Sequence, residues 1–321
     1  MTDSAGETDV VTGAFSYSGA AIARELTTAG RRVRTLTGHP ERAPAGTDID
    51  VRRLQFHDRE ELTQALRGAH TLYNTYWVRY AQGRIDHDIA VANSRVLFDA
   101  AAAAGIGRIV HVSIMRPTPD SPYPYFRGKA EVEQIIAAAG IPYAIVRPAL
   151  LFGRGGVLVN NVAWLLRHLP VFAVGDRGDY RLRGIHVDDL ARLCVRLGST
   201  EDVTLIDAVG PESLTFREFV EAIRSAVGSR AVVVSVPSAV LTGLSSLLGL
   251  VLRDRLLTAD EYHAMADGLA ASDAPTTGTV RFTDWLDEHG ADLGRRYVND
   301  LRRHFGRSDS GAARGGRRRP S

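Results

Sequence analysis

Lysine is nearly absent from this sequence. Of its 39 basic residues one, Lys129, is lysine and the other 38 are arginine. A chain that takes arginine almost everywhere yet keeps a single lysine marks a position where the planar guanidinium does not replace a compact ammonium. Cysteine is as scarce. Cys194 stands alone in DDLARLCVRLG, which excludes a disulfide within the chain and reads as core packing on a helical stripe. No apolar run reaches the ~20 residues that cross a bilayer. The longest weakly polar run, SAVLTGLSSLLGLVL over 238–252, has 15 residues and reads as a buried or interfacial helix. Net charge is only +2, so no global field draws the chain to nucleic acid or membrane. The acidic start, MTDSAGETDVV, lacks the pattern of a signal peptide. These absences leave a cytoplasmic protein with no nucleic-acid partner and no transmembrane segment, acting on a small molecule. The segment 306–321, GRSDSGAARGGRRRPS, is Gly/Arg/Ser-rich and is expected to be disordered.

What is present is an alternation. Apolar strand-like runs at 9–14, 31–38, 48–56, 69–77, 108–114 and 143–153 are separated by helical patterns at 18–30, 58–68, 85–105 and 127–140. Asp58 is placed to cap the second helix. This order predicts an α/β, Rossmann-like, doubly wound parallel sheet with helices on both faces. After residue 150 the pattern loosens into helical stretches at 159–172 and 215–228, a strand-to-helix transition at 184–198, strands at 203–210 and 231–237, and a mostly helical remainder. Residues 1–153 plus 184–210 are therefore expected to form the sheet domain, with 154–183 and 211–305 as a smaller, mostly helical lobe over the open strand ends.

The turn after the first strand reads Gly13-Ala14-Phe15-Ser16-Tyr17-Ser18-Gly19. It has Gly-x-x-Ser-x-x-Gly spacing between a strand and a helix. Gly13 permits the tight turn, Gly19 allows close helix packing, and the N–H groups of the helix start then face a pyrophosphate. An acid at the end of the second strand would chelate the ribose of NAD. Here that end reads Thr37-Gly38-His39-Pro40, and Thr37, His39 and Arg42 suit a 2′-phosphate instead. NADP is the favoured cofactor, with NAD the alternative.

Tyr125 precedes Lys129 by four residues, which puts both on one helical face just after the fifth strand. A lysine there can hold the nicotinamide ribose and lower the pKa of the phenol, letting tyrosine exchange a proton near neutral pH. Asp-His-Asp at 86–88 and His-Val-Asp-Asp at 186–189 do not have metal-site spacing; Asp188 and Asp189 are expected to cap a helix, and His186 to be structural.

The stretches VTGAFSYSGAAIARELTTAG, NTYWVRY, AAAAGIGRIVHVSI, YFRGKAEVE, IVRPALLFG, GIHVDDLA and AVGPESLTFREF together resemble an atypical extended short-chain dehydrogenase/reductase, of the NmrA-like and complex I 39-kDa-subunit-like type, over roughly residues 9–220. The resemblance implies an NAD(P)-binding Rossmann fold. It places Gly13, Ser16, Tyr17 and Gly19 near the pyrophosphate, and Gln55 and Phe56 beside the adenine. Asn74, Thr75 and Tyr76 would lie along the ribose and nicotinamide, closed by Tyr125, Lys129 and Pro148. Catalytic members carry a Ser or Thr that polarises the substrate carbonyl. Ser113 has workable spacing for this, 12 residues before Tyr125, although many relatives have a second serine where Ile114 stands. The implied activity is an NAD(P)-dependent oxidoreductase, or an epimerase- or dehydratase-like enzyme, with Tyr125, Lys129 and Ser113 as its catalytic set. The alternative is a dinucleotide-binding redox sensor or structural subunit without turnover. Trp164, Phe172 and Tyr180 are candidates for the wall of a substrate pocket.

Overall fold

The computed structural model describes residues 7–78, 86–241, 243 and 258–299. Most of the apolar run at 238–252 and the whole 306–321 segment lie outside the described residues. Strands β1 (Thr8–Thr12), β2 (Arg32–Thr37), β3 (Asp50–Arg53), β4 (Ala69–Asn74), β5 (Arg108–Val112) and β6 (Tyr143–Pro148) alternate with helices α1 (Tyr17–Thr28), α2 (Arg59–Leu66), α3 (His87–Ala104) and α4 (Pro124–Ala138). Then follow β7 (Leu150–Phe152), α5 (Val157–His168), β8 (Val171–Gly175), β9 (Arg181–Leu182), β10 (Gly184–His186), α6 (Val187–Gly198) and β11 (Thr204–Ala208). The last elements are β12 (Leu214–Thr215), α7 (Phe216–Ala226), β13 (Val232–Val236), α8 (Ala259–Ala266) and α9 (Phe282–His289).

Seven strands make one parallel sheet in the order β11-β6-β5-β4-β1-β2-β3. The direction of winding reverses between β1 and β4, and a crevice opens beyond the carboxyl ends of those two strands. Parallel strands are covered on both faces, which is why every residue of β5 is buried, its polar Arg108 and His111 included. Val11, Ile22, Leu26, Leu190 and Cys194 fill the space under α1 and α6. Val10, Leu36, Leu62, Leu97, Phe98 and Ile136 fill the other face under α2, α3 and α4. Each fully buried Leu, Ile or Phe contributes roughly 1.5–3 kcal/mol relative to exposure. Cys194 is buried core, as expected, and burial pushes its thiol up to about 12. Asp58 caps α2 by accepting from the Glu61 N–H at 2.9 Å.

Several boundaries differ from the sequence expectation. The strand read at 143–153 breaks after Pro148, and Leu150–Phe152 leaves the main sheet to pair with β10. The helix read at 159–172 ends at His168, because Leu169 must be extended before Pro170. The helix read at 127–140 starts earlier, with Pro124 in its first turn, where its missing N–H costs nothing. Among the described residues the C-terminal part carries short strands as well as helices. It holds three two-stranded sheets, β7–β10, β9–β12 and β8–β13, around a third cluster that includes Phe152, Val162, Leu166, Phe219, Ile223 and Trp285. Nor does Asp188 or Asp189 cap α6. His186 does so, its Nδ1 accepting from the Asp188 N–H at 3.2 Å. Asp189 instead accepts from the N–H groups of Thr279 and Val280 at 2.8 and 2.9 Å and pins that segment to α6. Asp86 is likewise a cap, for α3, accepting from the Ile89 N–H at 2.9 Å. Among the described residues, no helix is long and apolar enough to cross a membrane.

Candidate functional site

The crevice at the switch point opens into one cleft of about 1820 Å³ between the sheet and the C-terminal elements. Its floor at one end is the turn from β1 to α1. Gly13 takes φ +70°, a left-handed conformation, and its carbonyl accepts the Ser16 N–H at 2.8 Å. Gly19 packs so closely that a Cβ there would lie 2.2 Å from the Gly13 oxygen. Such a contact has no room for any other residue. Ser16 is the N-cap of α1 without a side-chain cap bond. By contrast, α2, α3, α6, α7 and α8 are capped by side chains. Gly13, Ser16 and Tyr17 line the cleft, whereas Gly19 lies behind the turn and fixes its shape.

Thr37, His39 and Arg42 line the same end, beyond β2. The nearest acid, Glu41, does not line the cleft, and its carboxylate takes the His39 ring at 3.1 Å. The β4 end is built differently. Asn74 is fully buried and binds inward: its Oδ1 accepts from Thr12 Oγ1 at 3.0 Å, and its Nδ2 donates to His111 Nδ1 at 2.9 Å. Burial holds the His111 imidazole far below its ordinary pKa, in keeping with a neutral acceptor. Thr12 Oγ1 in turn accepts the Thr75 and Tyr76 N–H groups at 2.7 and 3.1 Å, which sets the path of the loop leaving β4. That loop brings Thr75 and Trp77 to the cleft.

Tyr125 and Lys129 both line the cleft from the first two turns of α4. Lys129 is 3% exposed; its Nζ donates to the Val112 carbonyl at 3.1 Å and stands 4.6 Å from the centre of the Trp77 ring. Desolvation pushes the ammonium down to about 7, opposed only in part by Glu133. The indole of Trp77 fits because Gly128 carries no side chain: a Cβ there would lie 2.9 Å from the ring. His87 stacks on the other side of the indole, with ring centres 5.7 Å apart, and Tyr125 meets both rings edge-on at 5.7 and 5.6 Å. Trp77 Nε1 is buried with no hydrogen-bond partner among the described residues. It is an orphaned donor next to the lysine, of the kind a bound molecule satisfies.

Ser113 also lines the cleft, but its hydroxyl donates to Glu133 Oε1 at 2.6 Å. Glu133 is held in turn by the two-pronged Arg147 guanidinium, at 3.0 and 2.5 Å. A serine has one proton to give. Here that proton points at a carboxylate, and what remains for the cleft is a lone pair.

Not every expected residue reaches the cleft. Pro148 does. Asn74 is sealed beneath it, and Tyr76 turns away so that its hydroxyl accepts from Asn93 Nδ2 at 2.9 Å and its ring packs on Phe56 at 4.8 Å. Gln55 and Phe56 line a separate open hollow with Arg53 and Asn93 rather than the main cleft. Phe172 lines the cleft; Trp164 stacks on His168 and Tyr180 on Phe216, which makes both of them packing residues. Trp77, Glu133 and Arg147 were not singled out from sequence, and His87 was weighed only as part of the Asp-His-Asp stretch. For Arg147 the local signal is a charge inside the apolar run YAIVRPALLFG.

Residues 13–161 match the NAD(P)H-binding family. An uncharacterized protein of Mycobacterium tuberculosis is 32% identical over 219 residues, 66% of this chain and 23% of that protein, so this chain spans less than a quarter of the length of the mycobacterial relatives it matches. The (4-alkanoyl-5-oxo-2,5-dihydrofuran-3-yl)methyl phosphate reductase of Streptomyces griseus is 29% identical over 215 residues, 65% of this chain and 70% of its own. The 40 kDa subunit of mitochondrial NADH-ubiquinone oxidoreductase from Neurospora crassa is 23% identical over 220 residues, 67% and 56% of the two chains. These matches agree with the resemblance read from the sequence. Among solved structures, the Citrobacter triphenylmethane reductase complexed with NADP(H) superposes with a TM-score of 0.72 at 18% identity, covering 88% of this chain and 99% of that one. A likeness at that identity establishes the Rossmann-like fold.

Proposed function

We propose that this chain, whose residues 13–161 match the NAD(P)H-binding family, is an NADP(H)-dependent oxidoreductase that interconverts a small carbonyl compound and its alcohol, with Tyr125 as the acid–base group. One observation carries the reading: Tyr125 and the only lysine of the chain line the same cleft as the glycine turn. When bound, NADPH supplies the hydride. The residues of the chain supply position and the proton. Gly13, Ser16 and Tyr17 form the cradle for the pyrophosphate, shaped by the close approach of Gly19. Thr37, His39 and Arg42 receive the 2′-phosphate, in a place where, among the described residues, no carboxylate lines the wall to chelate a free ribose. Lys129, anchored by the Val112 carbonyl, donates to the ribose hydroxyls and, when protonated, lowers the pKa of the Tyr125 phenol. Tyr125 then gives its proton to the carbonyl oxygen as the carbonyl carbon is reduced, and solvent restores that proton. The Streptomyces relative is a reductase, and the Citrobacter reductase was solved as a complex with NADP(H); both support a reductase, and the second supports NADP over NAD. We assign residues 1–153 and 184–210 to cofactor binding and 154–183 with 211–299 to the lobe that covers the substrate.

A second reading, a dinucleotide-binding protein without turnover, is favoured by one observation: the Ser113 proton is committed to Glu133. The Neurospora relative is a subunit of a larger assembly, consistent with that reading. NADPH oxidation across a panel of carbonyl compounds, measured for the native chain and for Tyr125→Phe, separates the two. Tight NADPH binding with no turnover by the native chain would remove the enzyme reading, and turnover that Tyr125→Phe leaves unchanged would remove Tyr125 as the acid–base group.

A further inference from the structure

The cleft is larger than a cofactor site alone requires. Typical ligand pockets occupy roughly 300–1,000 Å³, against about 1820 Å³ here. Its two ends differ in chemistry. Past Pro148 the wall is apolar: Leu158 and Leu165 from α5, Phe172 from β8, and Met265 and Leu269 at and beyond the end of α8. Each of these side chains is only half-buried, so their apolar surface faces the cavity instead of being covered by protein. Soluble folds seldom leave contiguous apolar surface open without a use for it. The cavity positions 158, 162 and 165 recur at helical spacing along α5, about 10 Å at 1.5 Å per residue, and Leu169 continues the apolar wall just past the helix end.

The polar groups of this arm are already engaged. Asn161 donates to the Val298 carbonyl at 2.8 Å and accepts its N–H at 3.1 Å. Thr258 is tied to Glu261 in a capping box. Among the described lining residues from Pro148 onward there is no Lys or Arg and the only charges are the carboxylates of Asp260 and Glu261, while Arg127, which lines the cleft beside Tyr125, is bound to the Ser121 and Pro122 carbonyls at 2.9 and 3.0 Å. None of the lining residues from Pro148 onward would neutralise an anionic chain end, and the two carboxylates would repel one.

Resting on the reductase reading above, we infer that this arm takes an uncharged hydrocarbon chain, so that the substrate is a medium- to long-chain aliphatic aldehyde or ketone with its carbonyl at Tyr125 and its chain along α5. The test has a binding arm and a turnover arm, both on the full chain. Binding is read from the fluorescence of N-phenyl-1-naphthylamine, an uncharged apolar probe. The expected result is saturable binding, displaced by dodecanol, displaced at least tenfold less well by dodecanoate, and not displaced by butanol. Leu165→Glu should weaken probe binding at least tenfold and leave NADPH affinity unchanged, which also reports an intact fold. Leu158→Trp, an apolar change that fills the arm, should weaken it as well. Turnover is read as NADPH oxidation with butanal, octanal and dodecanal, where kcat/KM should rise about two- to fourfold per methylene until the arm is full. A flat response to chain length, probe binding indifferent to both variants, or dodecanoate binding as tightly as dodecanol overturns the inference. If no carbonyl is reduced but the probe still binds and is still lost in Leu165→Glu, the reductase reading falls and the apolar arm stands.

Discussion

The two ends of the cleft are built by opposite means. At the dinucleotide end the wall is largely backbone: a left-handed Gly13, a Gly19 with no room for a Cβ, and a helix start left without a side-chain cap. At the far end the wall is side chains, drawn from α5, β8, α7 and α8. A backbone cradle must be written in closely spaced residues, because only a few types permit the conformation. A side-chain wall asks only for apolar character, which many sequences satisfy. The glycine-turn end is thus demanding of residue type, while the apolar end tolerates many substitutions.

The largest expected effect lies where the two ends meet. Tyr125→Phe keeps the ring that packs on Trp77 and His87 and removes only the hydroxyl. General acid catalysis is worth roughly 10²–10⁴-fold, so kcat/KM for NADPH-dependent carbonyl reduction should fall by at least about a hundredfold, with NADPH affinity within twofold of the native chain. A similar loss in affinity would show that the hydroxyl holds the cofactor rather than supplying the proton.

Next comes the backbone end. Gly19→Ala forces a methyl group against the Gly13 carbonyl, a contact of 2.2 Å that only movement of the turn can relieve. Overpacking of this kind costs about 1–3 kcal/mol. NADPH affinity should drop at least tenfold in a calorimetric titration, and the denaturation midpoint should fall with it. Leu165→Glu, at the far end, should leave NADPH affinity untouched. If the two variants behave alike, the ends are not independent.

Lys129 gives a pH test. Its folded pKa is near 7, depressed by desolvation, against about 10.4 in an unfolded chain. Between those values the unfolded state binds the extra proton, so cofactor-free stability should rise with pH from about 7 to 10, by at most about 1.4 kcal/mol per pH unit. Below pH 7 both states hold the proton and the slope vanishes. NADPH affinity should move the other way, since the protonated ammonium is the form that binds, and fall by up to about tenfold per unit above pH 7. Denaturation and binding curves at pH 7, 8 and 9 measure both trends. Lys129→Met should flatten both.

The same contrast governs what could be read from the sequence. The seven-stranded sheet was legible because short runs centred on apolar residues, such as Val10–Val11 and Ile109–Val110, alternate with helical periods. The small sheets were not: β9 has two residues, Arg181 and Leu182, and its partners lie at Leu214 and Thr215. No local pattern marks so short a strand. Gly13, Ser16, Tyr17, Thr37, His39, Arg42 and the Tyr125–Lys129 pair were legible because spacing within one turn or one helix face brings them to the cleft. Asn74 was misplaced because its neighbours Thr12 and His111 sit on other strands and draw its amide inward. Trp77 went unnoticed because its seat depends on the missing side chain of Gly128, 51 residues later.

Ser113 carries the smallest expected effect and the sharpest question. If it donated to a substrate carbonyl, Ser113→Ala would cost as much as removing an oxyanion donor, on the order of 10²–10³ in kcat. Its proton instead goes to Glu133, and Arg147 holds that carboxylate from the other side. The alanine variant should therefore lose less than about tenfold in kcat. Its fold should lose about 1 kcal/mol, because Glu133 keeps its guanidinium partner and only one hydrogen bond disappears. Glu133→Gln removes the charge that draws the serine proton inward and leaves a group that can donate as well as accept. If Ser113 then turns toward the cleft, carbonyl reduction in Glu133→Gln should become sensitive to Ser113→Ala, so that the double-mutant cycle between the two positions gives a non-zero coupling energy in kcat.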